Sequence, residues 1–590
     1  MKDFLKNVLS TMIGVIMVFS LMGVLGIISL VGMLVSGGNA VELKDNSVMV
    51  INLSGVMEER AADNPMAQLT GRGGENIGLD NILSAIKKAK ESKCVKGIYI
   101  EAGLFSADSP ASVQAVRDAL DDFKSSGKWI ISYADSYTQS TYYICSVADK
   151  VLLNPQGMVD WHGLAAQPMF LKDVLAKFGI KVQLSKVGKY KSAPEQFTAD
   201  GMSGPNREQT EAYINGVWDE YLSDVSKSRK LSRQTLNAYA DSLIVFADPK
   251  DYLKLKLVDG LCYTDEVADV VKKQLGLSAD KKINKITYGD MNQIASDGDD
   301  EGDEIAVYYA YGDVVDSNSG GIGSSACIDA QKVCRDLKEL ADDDDVKAVV
   351  LRINSGGGSA YASEQIWHSV VNLKKKKPVV VSMGGYAASG AYYISCPANY
   401  IYAEPTTLTG SIGIFGMFPD FSGLLTEKLG VKFDEVKTNK HSAFGTVVRP
   451  FTSEEMTHIN SYIDRGYKLF RQRVADGRKL PVEKVEEIAQ GRVWLARDAV
   501  KIRLVDGLGS LDDAVKKAAG LAKADKWHAE SYPAPPSWMD QIMSTVSDDT
   551  YIDGKLRETM GSYYSMFMYL RQLDRQNAIQ ARMPYMLDIR

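Results

Sequence analysis

At 590 residues the chain is too long for one hydrophobic core, and two or three domains are expected. Its composition is that of an ordinary globular protein. A formal net charge of −7 argues against a nucleic-acid binder, which normally carries a basic patch or stripe. The acidic runs near 298–304 and at 342–345 read as solvated surface.

The first element is apolar. Residues 7–41 hold no charged side chain, and Val8 to Val35 is mostly hydrophobic. This exceeds the core of a signal peptide, about 7–15 residues, and suffices for a bilayer-spanning helix of ~20 residues. Lys2 and Lys6 precede it, so the positive-inside rule favours a cytoplasmic N-terminus and an exported body. The alternative is a signal peptide cleaved near Gly38-Asn39-Ala40. Residues 1–40 are taken as an N-terminal membrane anchor.

Beyond the anchor the sequence is written twice. YYICSVADKVLL (142–153) resembles YYISCPANYIYA (392–403), KCVKGIYIEAG (93–103) resembles DDVKAVVLRIN (344–354), and LKLVDGL (255–261) resembles IRLVDGL (502–508). The offsets are 250, 251 and 247, so the matches keep one order and nearly one spacing, as a duplicated domain requires. Each copy opens with an apolar strand ending at a Gly turn (47–55 and 304–312). An amphipathic helix follows, then buried strands at Gly97–Glu101 and Ala348–Ile353. A third pair of strands is predicted at Trp129–Ala134 and Pro378–Met383, then the YYI helix, then short strands at Lys150–Asn154 and Tyr400–Glu404. Continuous apolar strands alternating with helices predict a mostly parallel sheet covered on both faces. Long helices are expected at about 205–231 and 453–478. The domains are therefore drawn as a first repeat at 45–285, an acidic linker at 286–303, a second repeat at 304–525 and a C-terminal extension at 526–590.

The six cysteines show neither CxxC nor Cys/His metal spacing, so neither a zinc site nor a disulfide framework is expected. Cys145, Cys262 and Cys396 sit in apolar surroundings, where free buried cysteine is common.

The strongest chemical signal lies in the second repeat. The strand PVVVSM runs into Gly384-Gly385-Tyr386-Ala387-Ala388-Ser389-Gly390 and then a helix. Ser389 thus sits at a strand-to-helix turn among small residues, near free backbone N–H groups and the positive end of a helix dipole. It reads either as a nucleophile or as a helix cap. The preceding strand ends in Ser355-Gly356-Gly357-Gly358-Ser359, at the carboxyl edge of the sheet where ligands bind. Amides of Gly357 or Gly358, paired with that of Gly390, form a candidate oxyanion hole. The competing reading, a phosphate-cradling loop, lacks the Lys-Ser/Thr that would follow it.

A nucleophilic serine needs a base. Of the five histidines (His162, His368, His441, His458 and His528) none has metal-ligand spacing, and only His441 is a candidate base. Its counterpart in the first repeat is Lys191, and the counterpart of Ser389 is Gln139, each at an offset of 250. Desolvation brings a lysine toward a neutral, basic form. Spacing alone favours reading Lys191 as a surface residue.

The block SMGGYAASGAYYISCPANYIYAEPTTLTGSIGIFG, with INSGGGSAYASE before it, resembles the catalytic region of the signal peptide peptidase A family in its long, duplicated, membrane-anchored form. VGKYKSAPEQF resembles the segment that supplies the family's lysine, and GRVWLARDAVKIRLVDGLG (491–509) its late segment. The resemblance spans most of 45–520. It implies Ser389 as nucleophile and Lys191 as general base, and two tandem repeats of a Clp-protease/crotonase-like α/β domain. It further implies a dome-shaped homotetramer and remnant signal peptides as substrates. Two positions depart from the family pattern: Gly356 stands where proline is usual, and Ala391 where a second glycine is common.

The expectation is a membrane-anchored serine endopeptidase with a Ser-Lys dyad, acting through an acyl-enzyme on hydrophobic peptides. It needs no cofactor, metal or nucleic acid. It is placed at the bacterial inner membrane, single-pass, with its body on the periplasmic side. Two rivals remain: a crotonase-type acyl-thioester enzyme and a catalytically inactive membrane scaffold.

Overall fold

A computed structural model of the chain describes residues 14–15, 17–19, 21–22, 43–60, 76–294, 301–317, 326–534 and 579–583. The anchor expected at 1–40 lies for the most part outside the described residues. Among those described, no helix is long and apolar enough to cross a membrane.

The first repeat is built on β1 (Ser47–Glu58), β2 (Asn76–Gly78), β3 (Val95–Ala107), β4 (Trp129–Ala134) and β5 (Lys150–Leu153). After an outlying strand, β6 (Lys181–Lys186), it closes with β7 (Gly260–Leu261) and β8 (Asn284–Thr287). The sheet runs β2-β1-β3-β4-β5-β7, with β8 also beside β1, and every pair is parallel. Ile98 and Ile100 enter one core and Tyr99 and Ile131 a second core on the other face. This two-sided burial explains why these strands read as unbroken apolar runs.

The second repeat repeats the plan with β9 (Asp303–Tyr311), β12 (Val346–Ser355), β14 (Val379–Ala388), β15 (Tyr400–Ala403) and β19 (Gly507–Leu508). Beside β14 the sheet also takes β16 (Leu408–Gly410), which pairs antiparallel with β18 (Val493–Leu495).

Two domain boundaries move. The stretch expected to be a linker from 286 begins inside folded structure. β8 runs parallel to β1, and the helix Tyr288–Gln293 packs on the helix Leu79–Glu91. Ile286 and Met291 are the buried anchors, two apolar residues in a polar stretch whose composition hides them. Correspondingly, β20 (Trp527–Tyr532) pairs parallel with β9, so the extension drawn from 526 starts with the last strand of the second sheet. Each repeat ends by returning a strand to its own first strand.

A third sheet joins the repeats. Its order is β11 (Cys327–Asp329), β10 (Asp313–Val315), β13 (Gly357–Ser359), β21 (Ile579–Arg582), β17 (Phe415–Asp420) and β6. β6 pairs antiparallel with β17, tying the first repeat to the second just before Lys191. Ala388, Leu408, Val493 and Leu495 of the second repeat enter the main core of the first. The Thr406 hydroxyl donates to Gln114 Oε1 at 2.7 Å across the same junction.

Candidate active site

β14 delivers Ser389 to the first position before the helix Gly390–Ser395 with φ 57° and ψ −113°. A side chain other than glycine's is strained there, by about 1–3 kcal/mol, and such strain gathers at functional turns. The turn is tight because Ser389 N–H donates to Gly410 O at 2.8 Å while Ser389 O accepts from Tyr393 N–H at 2.8 Å. The hydroxyl makes no cap bond to its own helix, which removes the capping role. In the first repeat Thr138 does cap the equivalent helix, through Thr141 N–H. Gln139, opposite Ser389, instead accepts from the N–H groups of His162 and Gly163 at 3.0 Å each, holding a loop.

Lys191 Nζ lies 2.7 Å from Ser389 Oγ, within one chain. Both residues are fully buried. The lysine reaches this position from the segment after β6, where Tyr190 N–H donates to Gln490 O at 3.0 Å and Gln209 Nε2 donates to Tyr190 O at 3.1 Å. A Cβ on Gly491 would stand 2.6 Å from Lys191 Cβ, so only glycine lets the two backbones approach. Burial holds the Lys191 amine well below the usual lysine range. Nζ donates to Ser411 O at 3.1 Å and to Ser411 Oγ at 3.0 Å. A neutral amine has two N–H bonds and one lone pair. In that form the two hydrogens match the two Ser411 acceptors and the lone pair matches the Ser389 hydroxyl.

His441, the other candidate base, is half-exposed on the surface, 3.5 Å from Glu454. Ser411 is the functional residue that sequence reasoning passed over. Its signal was the Gly410-Ser411-Ile412-Gly413 spacing and, in the structure, a φ of 49°.

The three glycines converge beside Ser389. Gly390 N lies 2.7 Å from where a Cβ on Gly357 would stand, and Gly358 N 3.2 Å from where one on Gly390 would stand. Gly357 N–H donates to Ser355 Oγ at 3.1 Å, and Gly358 pairs with Ala581 of β21. Gly357 and Gly358 have φ of 98° and 158°, and a side chain on Gly358 would strike Val314 O at 2.1 Å. At Gly356 a Cβ meets only the Met583 side chain, at 3.5 Å, so the missing proline leaves no steric demand for glycine. Among the described residues no group of three His, Cys, Asp or Glu side chains is placed to hold a metal ion. All six cysteines are free thiols.

A buried hydroxyl, a desolvated amine at hydrogen-bond distance and convergent amides are the parts of an acyl-transfer site. The model of peptidase family S49 matches residues 122–278 and 371–525, once in each repeat. The chain belongs to peptidase family S49. It is a serine protease of the signal peptide peptidase A type, with a Clp-protease-like fold in which the Clp protease model matches residues 322–407. It is 36% identical over 533 residues to Protease 4 of Salmonella typhi, covering 87% of this chain and 85% of that one. It is 34% identical over 527 residues to Protease 4 of Haemophilus influenzae, covering 84% and 83%. The chloroplastic serine protease SPPA of Arabidopsis thaliana is 29% identical over 514 residues, covering 85% and 74%.

Proposed function

We propose that this S49 peptidase cuts hydrophobic peptides, remnant signal peptides among them, with Ser389 as nucleophile and Lys191 as general base. The observation that carries the reading is the 2.7 Å approach of Lys191 Nζ to Ser389 Oγ, both residues being fully buried. Neutral Lys191 takes the Ser389 proton as Oγ attacks the scissile carbonyl, and returns it to the leaving amine. The amides of Gly390 and Gly358, or Gly357 once it turns from Ser355, hold the developing oxyanion. Water, activated by the same amine, then hydrolyses the acyl-enzyme. Because the base belongs to one repeat and the nucleophile to the other, neither copy works alone.

The proposal extends to placement. The apolar run at 8–35 anchors the chain as a single pass in a bacterial inner membrane, with the catalytic body on the periplasmic side, where spent hydrophobic segments gather. The body assembles as a homotetramer.

The test is cleavage of a hydrophobic peptide by the full chain in detergent, beside Ser389→Ala and Lys191→Ala. Each variant is expected to lose at least ~1,000-fold in kcat/KM. Full activity in both would sink the dyad. Turnover of an acyl-thioester without peptidase activity would instead favour crotonase-type chemistry.

A further inference from the structure

Base and nucleophile come from different repeats, so their 2.7 Å approach depends on how one backbone is held against the other. A single side chain spans that gap. Gln209 is buried on the helix Gly204–Arg229 of the first repeat, which Ser203 caps through Asn206 N–H. Its Nε2 donates to Tyr190 O at 3.1 Å and to Ser192 Oγ at 2.9 Å, one residue on either side of Lys191. A longer contact, 3.4 Å, goes to Asn206 Oδ1 on its own helix. At its other end Oε1 accepts from Val493 N–H of the second repeat at 3.1 Å.

Val493 is no remote anchor. It stands opposite Gly410 in the β16–β18 pair, and Gly410 O accepts the N–H of Ser389 at 2.8 Å. The route from base to nucleophile therefore runs from Tyr190 O through Gln209 to Val493, Gly410 and Ser389, and Gln209 supplies its side-chain link. A primary amide suits the task, because its donors lie at one end and its acceptor at the other. The Tyr190 ring is held separately by Arg492, whose Nη1 donates to Tyr190 Oη at 3.0 Å, so losing Gln209 resets the lysine segment without undocking it. The copy that lacks a base also lacks this link. Thr452 caps the helix Ser453–Arg478 as Ser203 caps its counterpart, and the sixth residue after that cap is His458, which is exposed.

We propose that Gln209 is a positioning residue for the reaction, setting the Lys191 backbone against the Ser389 turn so that Nζ meets Oγ. It touches neither reacting atom and acts through Lys191. The inference rests on the Ser389–Lys191 reading of the site. A misplacement of about 1 Å in such an approach costs on the order of 100-fold in rate. A base set off line slows the chemical step and leaves substrate binding as it was, so the loss falls on kcat and not on KM.

The experiment measures kcat and KM of the full chain in detergent for Gln209→Met, Lys191→Ala and the double variant. The substrate is a hydrophobic peptidyl ester, whose slow turnover without the lysine remains measurable. Methionine matches glutamine in length and removes both hydrogen-bonding ends. Gln209→Met is expected to lower kcat roughly 10- to 100-fold with KM little changed. In the Lys191→Ala background the same substitution should change the residual kcat by less than about twofold, since a residue that acts through the lysine has nothing left to position. An unchanged kcat in Gln209→Met overturns the proposal. So does a loss carried by KM, or a second loss of equal size in the Lys191→Ala background. If Gln209→Met does not fold, Gln209→Asn, which keeps both polar ends but is one carbon too short to span the gap, is judged by the same criteria. Full activity in Lys191→Ala would strike the dyad and this proposal with it, whereas additive losses strike Gln209 alone.

Discussion

Glu59 of the first repeat and Arg352 of the second, three residues before the glycine loop begins at Ser355, close a buried ion pair at 2.6 Å. Asn354, two residues further along β12, donates to Glu59 Oε2 at 3.0 Å and to Asp108 Oδ2 at 2.5 Å, and accepts from Tyr386 N–H at 3.1 Å. The next residue, Ser355, begins the glycine loop. The network therefore fixes the loop against the first repeat. Glu59→Ala leaves Arg352 buried without its partner and is expected to cost about 3–5 kcal/mol in urea denaturation. The double variant Glu59→Leu/Arg352→Met should recover much of that stability, because it buries no unpaired charge.

Strain at Ser389 predicts a difference between two inactive variants. With φ at 57°, Ser389→Gly relieves the backbone whereas Ser389→Ala keeps the strain. Ser389→Gly is expected to be more stable than Ser389→Ala by about 1 kcal/mol, read from paired denaturation curves. Equal midpoints would show that the turn stores no strain.

The Lys191 amine sets the sign of two pH effects. Burial holds its folded pKa well below 10.5, so activity rises with pH as the amine loses its proton. Between that folded value and the unfolded one the unfolded chain binds the extra proton, so this group's contribution to stability also rises with pH. Lys191→Met removes that cost, and the melting temperature at neutral pH should not fall although activity is lost.

Ser411 holds Lys191 Nζ through its carbonyl and its hydroxyl. Ser411→Ala removes one acceptor from Nζ, which disfavours the charged amine further. The acid limb of the kcat profile should move to lower pH, and kcat should fall roughly tenfold from misalignment with KM little changed. An unmoved limb would reduce Ser411 to a packing residue.

Glu404 provides a pH effect on stability away from the chemistry. Burial pushes its carboxyl from 4.5 up to about 8. Between these values the native state holds a proton that the unfolded chain has released, so stability from this group declines as pH rises through that window. Glu404→Gln should flatten the decline. The measurement compares urea midpoints at pH about 5 and about 9 for both proteins.

The sequence by itself determined the duplication, the parallel strands and the place of Ser389. Each is encoded locally. Strands buried on both faces must be unbroken runs such as GIYIE and AVVLRI, and a tight strand-to-helix turn must be lined by small residues such as Ala387, Ala388 and Gly390. Four features were decided only by tertiary structure. Lys191 reads as a surface residue until Gly491, Gly413 and Ser411 close around it, because desolvation belongs to the surroundings and not to the residue. β8 and β20 are short and mixed in polarity, so their pairing with β1 and β9 becomes visible only once those edges exist. Glu59 and Arg352, 293 positions apart, carry no mutual signal along the chain. The segment Ile579–Arg582 has no periodicity to mark it as a strand. Its order comes from the two open edges that β13 and β17 present to it, since an isolated strand must borrow hydrogen-bond partners from a sheet assembled elsewhere in the chain.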